Sequence, residues 1–182
     1  MSVGRWGTGL AATLVLVAAG VWAAGPTGPV GVDAHLWAQV RPVIEARLVA
    51  DSKGSGYGET VPALHARWFC EVRARDLAEH DGVVRAGVTT LCVEYGARAG
   101  RLEECSGEAG PQVLRLERGE GGGYRVVSRE EPPDGEGYGQ WVRDHFGFLS
   151  EPGPADTVPT ADLETVARTH FGLPASAPVG DC

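Results

Sequence analysis

Between Arg67 and Arg75, Trp68, Cys70, Val72 and Ala74 alternate with Arg67, Glu71, Arg73 and Arg75. A period of two places successive side chains on opposite faces, so the stretch is a half-buried strand and not a helix. Past His80, Asp81-Gly82 supplies a turn able to take positive φ, and a second run follows in Val83 to Tyr95 (VVRAGVTTLCVEY). Ala99-Gly100 turns the chain again, into Arg101 to Cys105. A further strand is expected after Gly110-Pro111, in Val113 to Leu116, and the GEGGG turn at 119 to 123 precedes Tyr124 to Val127. Residues 66–131 therefore read as an antiparallel meander. The strands follow one another too closely for crossover helices, so a parallel sheet is not expected.

Helical periodicity flanks this region. From the N-cap candidate Asp33, apolar residues recur at three and four (Leu36, Val40, Val43, Ile44, Leu48), with Arg41, Glu45 and Arg47 between them. An interior proline costs a helix about 3 kcal/mol, so Pro42 predicts a kink or a short helix starting near it. Residues 51–60 (DSKGSGYGET) read as a loop. Beyond Pro132-Pro133, Trp141, Val142, His145 and Phe146 mark a helix at about 137–147 stopped by Gly147. Leu163, Val166, Ala167, His170 and Phe171 mark another at 160–172 stopped by Gly172, with Asp162 or Thr160 as its cap. The class is α+β: one globular domain over 33–174, a helix before the sheet and two after it, then a tail at 175–182.

After the single charge of Arg5, Leu10 to Ala24 (LAATLVLVAAGVWAA) carries no charge. Fifteen helical residues rise roughly 22 Å, short of the ~30 Å of bilayer hydrocarbon. Residues 1–25 therefore read first as a secretory signal peptide, with Val21 and Ala23 at the positions before a cleavage point, and second as an uncleaved membrane anchor flanked by Trp6 and Trp22. Residues 26–32, with Pro26 and Pro29, are a linker. The expected location is extracellular or on the outer face of the cell membrane, with membrane contact through the N-terminal segment if it is retained. The formal net charge of −8, with Lys53 the one lysine, disfavours nucleic acid and anionic lipid as partners.

The four cysteines, Cys70, Cys92, Cys105 and Cys182, form no CxxC pair, and in an oxidising compartment an even count reads as disulfides rather than zinc. A three-residue hairpin loop centred on Asp81 sets Cys70 opposite Cys92, at a Cα separation of ~4.5 Å that a disulfide can span. A two-residue loop at Asp81-Gly82 shifts the register by one and spoils that alignment. The remaining pair, Cys105 and Cys182, would tie the proline- and alanine-rich stretch LPASAPVGDC back to the sheet.

Phe69-Cys70-Glu71-Val72, Leu91-Cys92-Val93-Glu94-Tyr95, Ser106-Gly107, Gly110-Pro111, Val113-Leu114, Gly123-Tyr124-Arg125-Val126-Val127 and Pro133-Asp134-Gly135 occur in this order. Over about residues 67–146 the chain resembles a group of uncharacterised bacterial exported proteins. The resemblance implies a cystatin-like or nuclear-transport-factor-2-like fold, an N-terminal helix packed on a curved antiparallel meander. It implies no activity, and the second C-terminal helix and Cys182 depart from the pattern.

The five histidines, His35, His65, His80, His145 and His170, lie in five separate segments without HExxH or His-x-His spacing, and no serine lies in GxSxG. Glu103, Glu104 and Glu108 form one acidic cluster. Glu130, Glu131, Asp134 and Glu136 form another, weighed as a calcium site although EF-hand spacing is absent. The GEGGG turn lacks the order and the lysine of a phosphate loop. No catalytic, cofactor-binding or metal residue is assigned, and no cofactor is expected. The first expectation is a non-enzymatic accessory or binding module with a protein partner at the cell envelope. The alternative is a small-ligand-binding or enzymatic cone fold with a pocket between helix and sheet, and a third is a secreted inhibitor acting through hairpin loops. A side-chain-packed interior favours the first, and an enclosed pocket with converging Asp, Glu or His the second.

Overall fold

The computed structural model describes residues 32–147 and 158–182, so the apolar segment 1–25 and most of the linker lie outside the described residues. Among the described residues no helix is long and apolar enough to cross a membrane. The fold is α+β. Helix α1 (Ala34–Ser52) is followed by two 3₁₀ turns, Gly58–Thr60 and Pro62–Leu64, then by β1 (Arg67–His80), β2 (Val83–Arg98), β3 (Arg101–Arg118) and β4 (Tyr124–Glu130). Helices α2 (Gly137–Phe146) and α3 (Thr160–His170) and the short strand β5 (Val179–Asp181) complete it. The first four strands pair in sequence order, antiparallel.

Three details of the sheet differ from the sequence expectation. β5 pairs parallel with β3 at Leu102–Glu104, so the open five-stranded sheet is mixed, and the expected tail at 175–182 returns to it. Gly110-Pro111 does not divide β3, which runs through both. A proline is tolerated in a strand where one side lacks a ladder partner, and β4 begins to pair with β3 only at Val113.

The third difference concerns the first hairpin. It closes on two residues, Asp81 (φ 50°) and Gly82 (φ 77°), with His80 opposite Val83. This is the doubly positive-φ turn whose twist matches the flanking strands. Alone, it would leave Cys70 one position out of line with Cys92. A bulge at Arg75, between the pairs Ala74–Val88 and Asp76–Gly87, adds one residue to β1 and restores the match. Cys70 and Cys92 then stand opposite each other at a Cα separation of 4.1 Å and are disulfide-bonded. The alignment inferred from a longer loop thus arises from a shorter loop plus a bulge.

The second hairpin turns on Ala99 (φ 52°) and Gly100 (φ 77°), with Arg98 opposite Arg101. An alanine there bears the Cβ–carbonyl crowding of left-handed backbone. Ala99→Gly is therefore expected to stabilise the chain by about 1 kcal/mol, read as a higher urea midpoint at unchanged slope. A lower midpoint would contradict that turn geometry. A second bulge, between Glu104 and Ser106, falls on Cys105, which bonds Cys182 at a Cα separation of 4.9 Å. The Cys182 N–H donates to Glu104 O (2.9 Å) and the Leu102 N–H to Pro178 O (3.0 Å), so bond and ladder together hold β5.

The helices cover both faces of the sheet. α1 runs through Pro42 from Ala34, not from Pro42, and Asp33 Oδ1 accepts the Leu36 N–H at 2.7 Å as its cap. Its stripe Val40, Ile44 and Leu48 packs on Val72, Val84, Ala86, Val88, Leu114 and Leu116, all 0–1% exposed. On the opposite face Leu163 and Ala167 of α3 meet Val93, Tyr95 and Leu102. Gly147 (φ 87°) and Gly172 (φ 66°) follow α2 and α3 as stops. Pro159, without a side-chain bond, stands at the α3 cap in place of the expected Asp162 or Thr160.

Candidate functional site

The space between α1 and the sheet is filled by the side chains just named, so functional geometry falls at its two ends and along the edge of β3. One end is closed by the glycine-rich loop after α1. Glu94, 0% exposed, points from β2 beneath this loop, and its Oε2 accepts the Gly58 N–H at 2.8 Å. The N–H groups of Gly54 (2.7 Å) and Gly56 (3.4 Å) donate to Glu59 Oε2, and that of Tyr57 to Ser106 Oγ (2.9 Å). Backbone donors that could cradle an anion are thus committed to two carboxylates and a hydroxyl. A Cβ on Gly56 would overlap the Glu94 carboxylate, and one on Gly58 would press on Ala66 and Cys105, which explains glycine at both positions.

The other end opens into a cleft of about 660 Å³ beside the start of α1, with Leu36, Leu77 and Tyr124 as its apolar wall and Asp33, His35, Gln39, Glu79 and Arg118 around it. Its Asp33, Glu79 and Arg118 already have partners within the fold. The Arg118 guanidinium lies 4.5 Å from the Tyr124 ring centroid, donates to the Tyr124 hydroxyl and to Gly122 O (3.2 Å), and sits 3.9 Å from Glu79. The Tyr124 hydroxyl donates onward to Glu79 Oε1 at 3.4 Å, while Asp33 is occupied as the helix cap.

A smaller cleft of about 250 Å³ lies against β3 where, among the described residues, that strand has no partner on the side away from β2. Thr90, Glu108, Ala109, Gly110, Pro111 and Gln112 form one side, and Glu131, Pro132, Asp134 and Tyr138 the other. Gln112 is 5% exposed, and its Nε2 donates to Glu131 Oε1 at 2.9 Å while its Oε1 has no partner among the described residues. Arg129 approaches Glu131 at 2.5 Å and Asp51 at 3.5 Å.

The histidines stay apart. His35 lines the large cleft, and His65 takes the left-handed position after the second 3₁₀ turn. His80 sits in the exposed hairpin 3.1 Å from Asp81. His145 Nδ1 bonds Trp141 O at 2.8 Å, with Nε2 3.6 Å from Glu130, and His170 packs edge-on against Phe69. Of the second acidic cluster, Glu130 faces His145, while Glu131, which pairs with Arg129, and Asp134 both line the small cleft. Among the described residues no three His, Cys, Asp or Glu side chains are placed to hold a metal ion. Sequence reasoning missed Glu94 and Gln112. The parity of Val88, Thr90, Cys92 and Glu94 was the available signal, because it puts Glu94 on the α1 face.

At the outer edge of β1, Arg41 donates to Glu45 (2.7 Å) and lies 3.7 Å from Glu71. The Glu71 carboxyl titrates above its ordinary range, first because burial desolvates it and second because Asp162 lies nearby. A carboxyl raised in the fold contributes stability below its unfolded pKa and loses that contribution as pH rises through the folded value. Glu71→Gln is therefore expected to raise the melting temperature at pH 7 and to have no such effect at pH 4. A variant less stable at pH 7 than the parent would contradict this. Burial also raises the Tyr95 phenol, whose hydroxyl has no partner among the described residues.

The fold and site define an open, disulfide-stapled α+β module, and its bonds point to an oxidising, non-cytoplasmic compartment. No protein-family model, curated protein or solved structure matches the chain.

Proposed function

We propose that the chain is an exported or membrane-anchored module of the cell envelope that acts by binding another protein and not by catalysis. Residues 1–25 would serve as its signal peptide or anchor, and the helix-on-sheet body would be of the cystatin-like or nuclear-transport-factor-2-like type. One observation carries the reading: the layer between α1 and the sheet is filled mainly by aliphatic side chains, while among the described residues 105–112 of β3 have no strand on the side away from β2. A filled layer leaves no enclosed chamber for a small substrate, whereas an unpaired strand edge is a surface that partner chains use. The large cleft is the feature that favours a small-ligand site, but its Arg118 already faces Glu79 and its Asp33 is occupied as the α1 cap. Native mass spectrometry of the full chain extracted from its own membranes tests the reading. A second protein bound in defined stoichiometry is expected. The chain alone, carrying a compound of a few hundred daltons, would favour the small-ligand reading instead.

A further inference from the structure

We propose that the small cleft on β3 binds an extended segment of the partner protein and seats an arginine side chain of that segment among its carboxylates. This inference rests on the protein-binding reading and names its site. β5 pairs with β3 only up to Glu104, and β4 only from Val113, so among the described residues 105–112 have no strand on their outer side. At about 3.3 Å per residue this gap accommodates a strand of five or six residues. Four of the eight residues along it are small. Ser106, Gly107, Ala109 and Gly110 present little bulk, and a Cβ at Gly110 would meet nothing within 4 Å. A segment lying there can pair with β3 through its backbone, the mode in which main-chain bonds give affinity and side-chain pockets give choice.

The pocket is the 250 Å³ cleft, and its chemistry calls for a cation. Of its carboxylates, Glu131 has Arg129 at 2.5 Å, whereas among the described residues Glu108 and Asp134 form no ion pair and Glu108 receives the Ser52 hydroxyl at 3.3 Å. An acidic group alone would be ordinary solvated surface. The independent observation is Gln112: it lines the cleft at 5% exposure, its amide nitrogen is taken by Glu131, and its carbonyl oxygen has no donor among the described residues. A guanidinium brings several donors in one plane, enough for a carboxylate and an amide oxygen together, and can lie on the face of Tyr138, 39% exposed at the same cleft. The net charge of −8 draws such a segment in.

The test is fluorescence anisotropy of the full chain at low salt with two labelled heptapeptides, Gly-Thr-Val-Arg-Val-Thr-Gly and the same peptide with citrulline for arginine. The arginine peptide is expected to bind about tenfold tighter, and Glu108→Gln with Asp134→Asn to remove that preference at unchanged melting temperature. Free arginine is expected to bind far more weakly than the peptide. Equal binding of the two peptides, no binding of either, indifference to the double substitution, or free arginine matching the peptide would each overturn the proposal. If a native complex exists but saturating arginine peptide leaves it intact, this site fails while the protein-binding reading stands. If the peptide binds and no protein complex is found, the reading fails and the site stands.

Discussion

Replacing Cys105 and Cys182 by serine is expected to cost the folded chain about 4 kcal/mol, against about 3 kcal/mol for the same exchange at Cys70 and Cys92. The order follows from chain entropy. The first pair closes a sequence separation of 77 residues and the second one of 22, and the longer loop loses more freedom in the unfolded chain. The two losses also differ in where they are felt. Cys70 and Cys92 lie within a long ladder running from Arg67–Tyr95 to His80–Val83, which stays paired without the bond. β5 has only three paired positions, so without Cys182 it is expected to leave β3. Urea unfolding gives the energies, and amide exchange gives the place. Protection should fall at Leu102, whose N–H bonds Pro178 O, and stay high at the partners of Cys70. A larger loss at Cys70 and Cys92 would show that the long loop is already restrained when unfolded.

The second large effect belongs to the helix–sheet layer. Ile44→Ala is expected to cost 2–5 kcal/mol, in the usual range for deleting a buried aliphatic group that leaves a cavity. Ile44 is 0% exposed and sits in the middle of the α1 stripe, between Val40 and Leu48. Val166→Ala, on an α3 position that is 55% exposed, should change stability by no more than about 0.5 kcal/mol. Urea midpoints of the two variants measure how solidly the layer is packed. A cost below about 1 kcal/mol at Ile44 would mean a loose layer that can collapse or admit a ligand, and would strengthen the small-ligand alternative.

Particular residues show what the sequence made legible. The two-residue alternation around Val72, the turn pairs Asp81-Gly82 and Ala99-Gly100 and the glycine stops at Gly147 and Gly172 are local signals, and each appears where local chemistry puts it. Bulges are not local. The extra residues at Arg75 and Cys105 depend on how two distant strands match, and nothing in either tripeptide announces them. For that reason a three-residue loop and a two-residue loop with a bulge lead to the same pairing of Cys70 with Cys92. β5 was missed because three residues, Val179 to Asp181, are too few to show a period. Gly110-Pro111 reads as a break because proline usually ends a ladder, and it survives here because, among the described residues, its side away from β2 has no strand partner. The candidate site inherits these limits. Glu108, Glu131 and Asp134 were visible as acidic residues, but their meeting with Gln112 depends on where β4 stops pairing with β3.

The central claim is that this module binds a protein along the unpaired stretch of β3. A photo-crosslinking amino acid at Ala109, exposed in the middle of that stretch, tests it in living cells, with the same group at Val166 on the outer surface of α3 as the control. The account predicts one discrete protein adduct from Ala109 that arginine-free competitor peptide does not suppress and arginine peptide does, and none from Val166. No adduct from Ala109, or the same adduct from both positions, would contradict it.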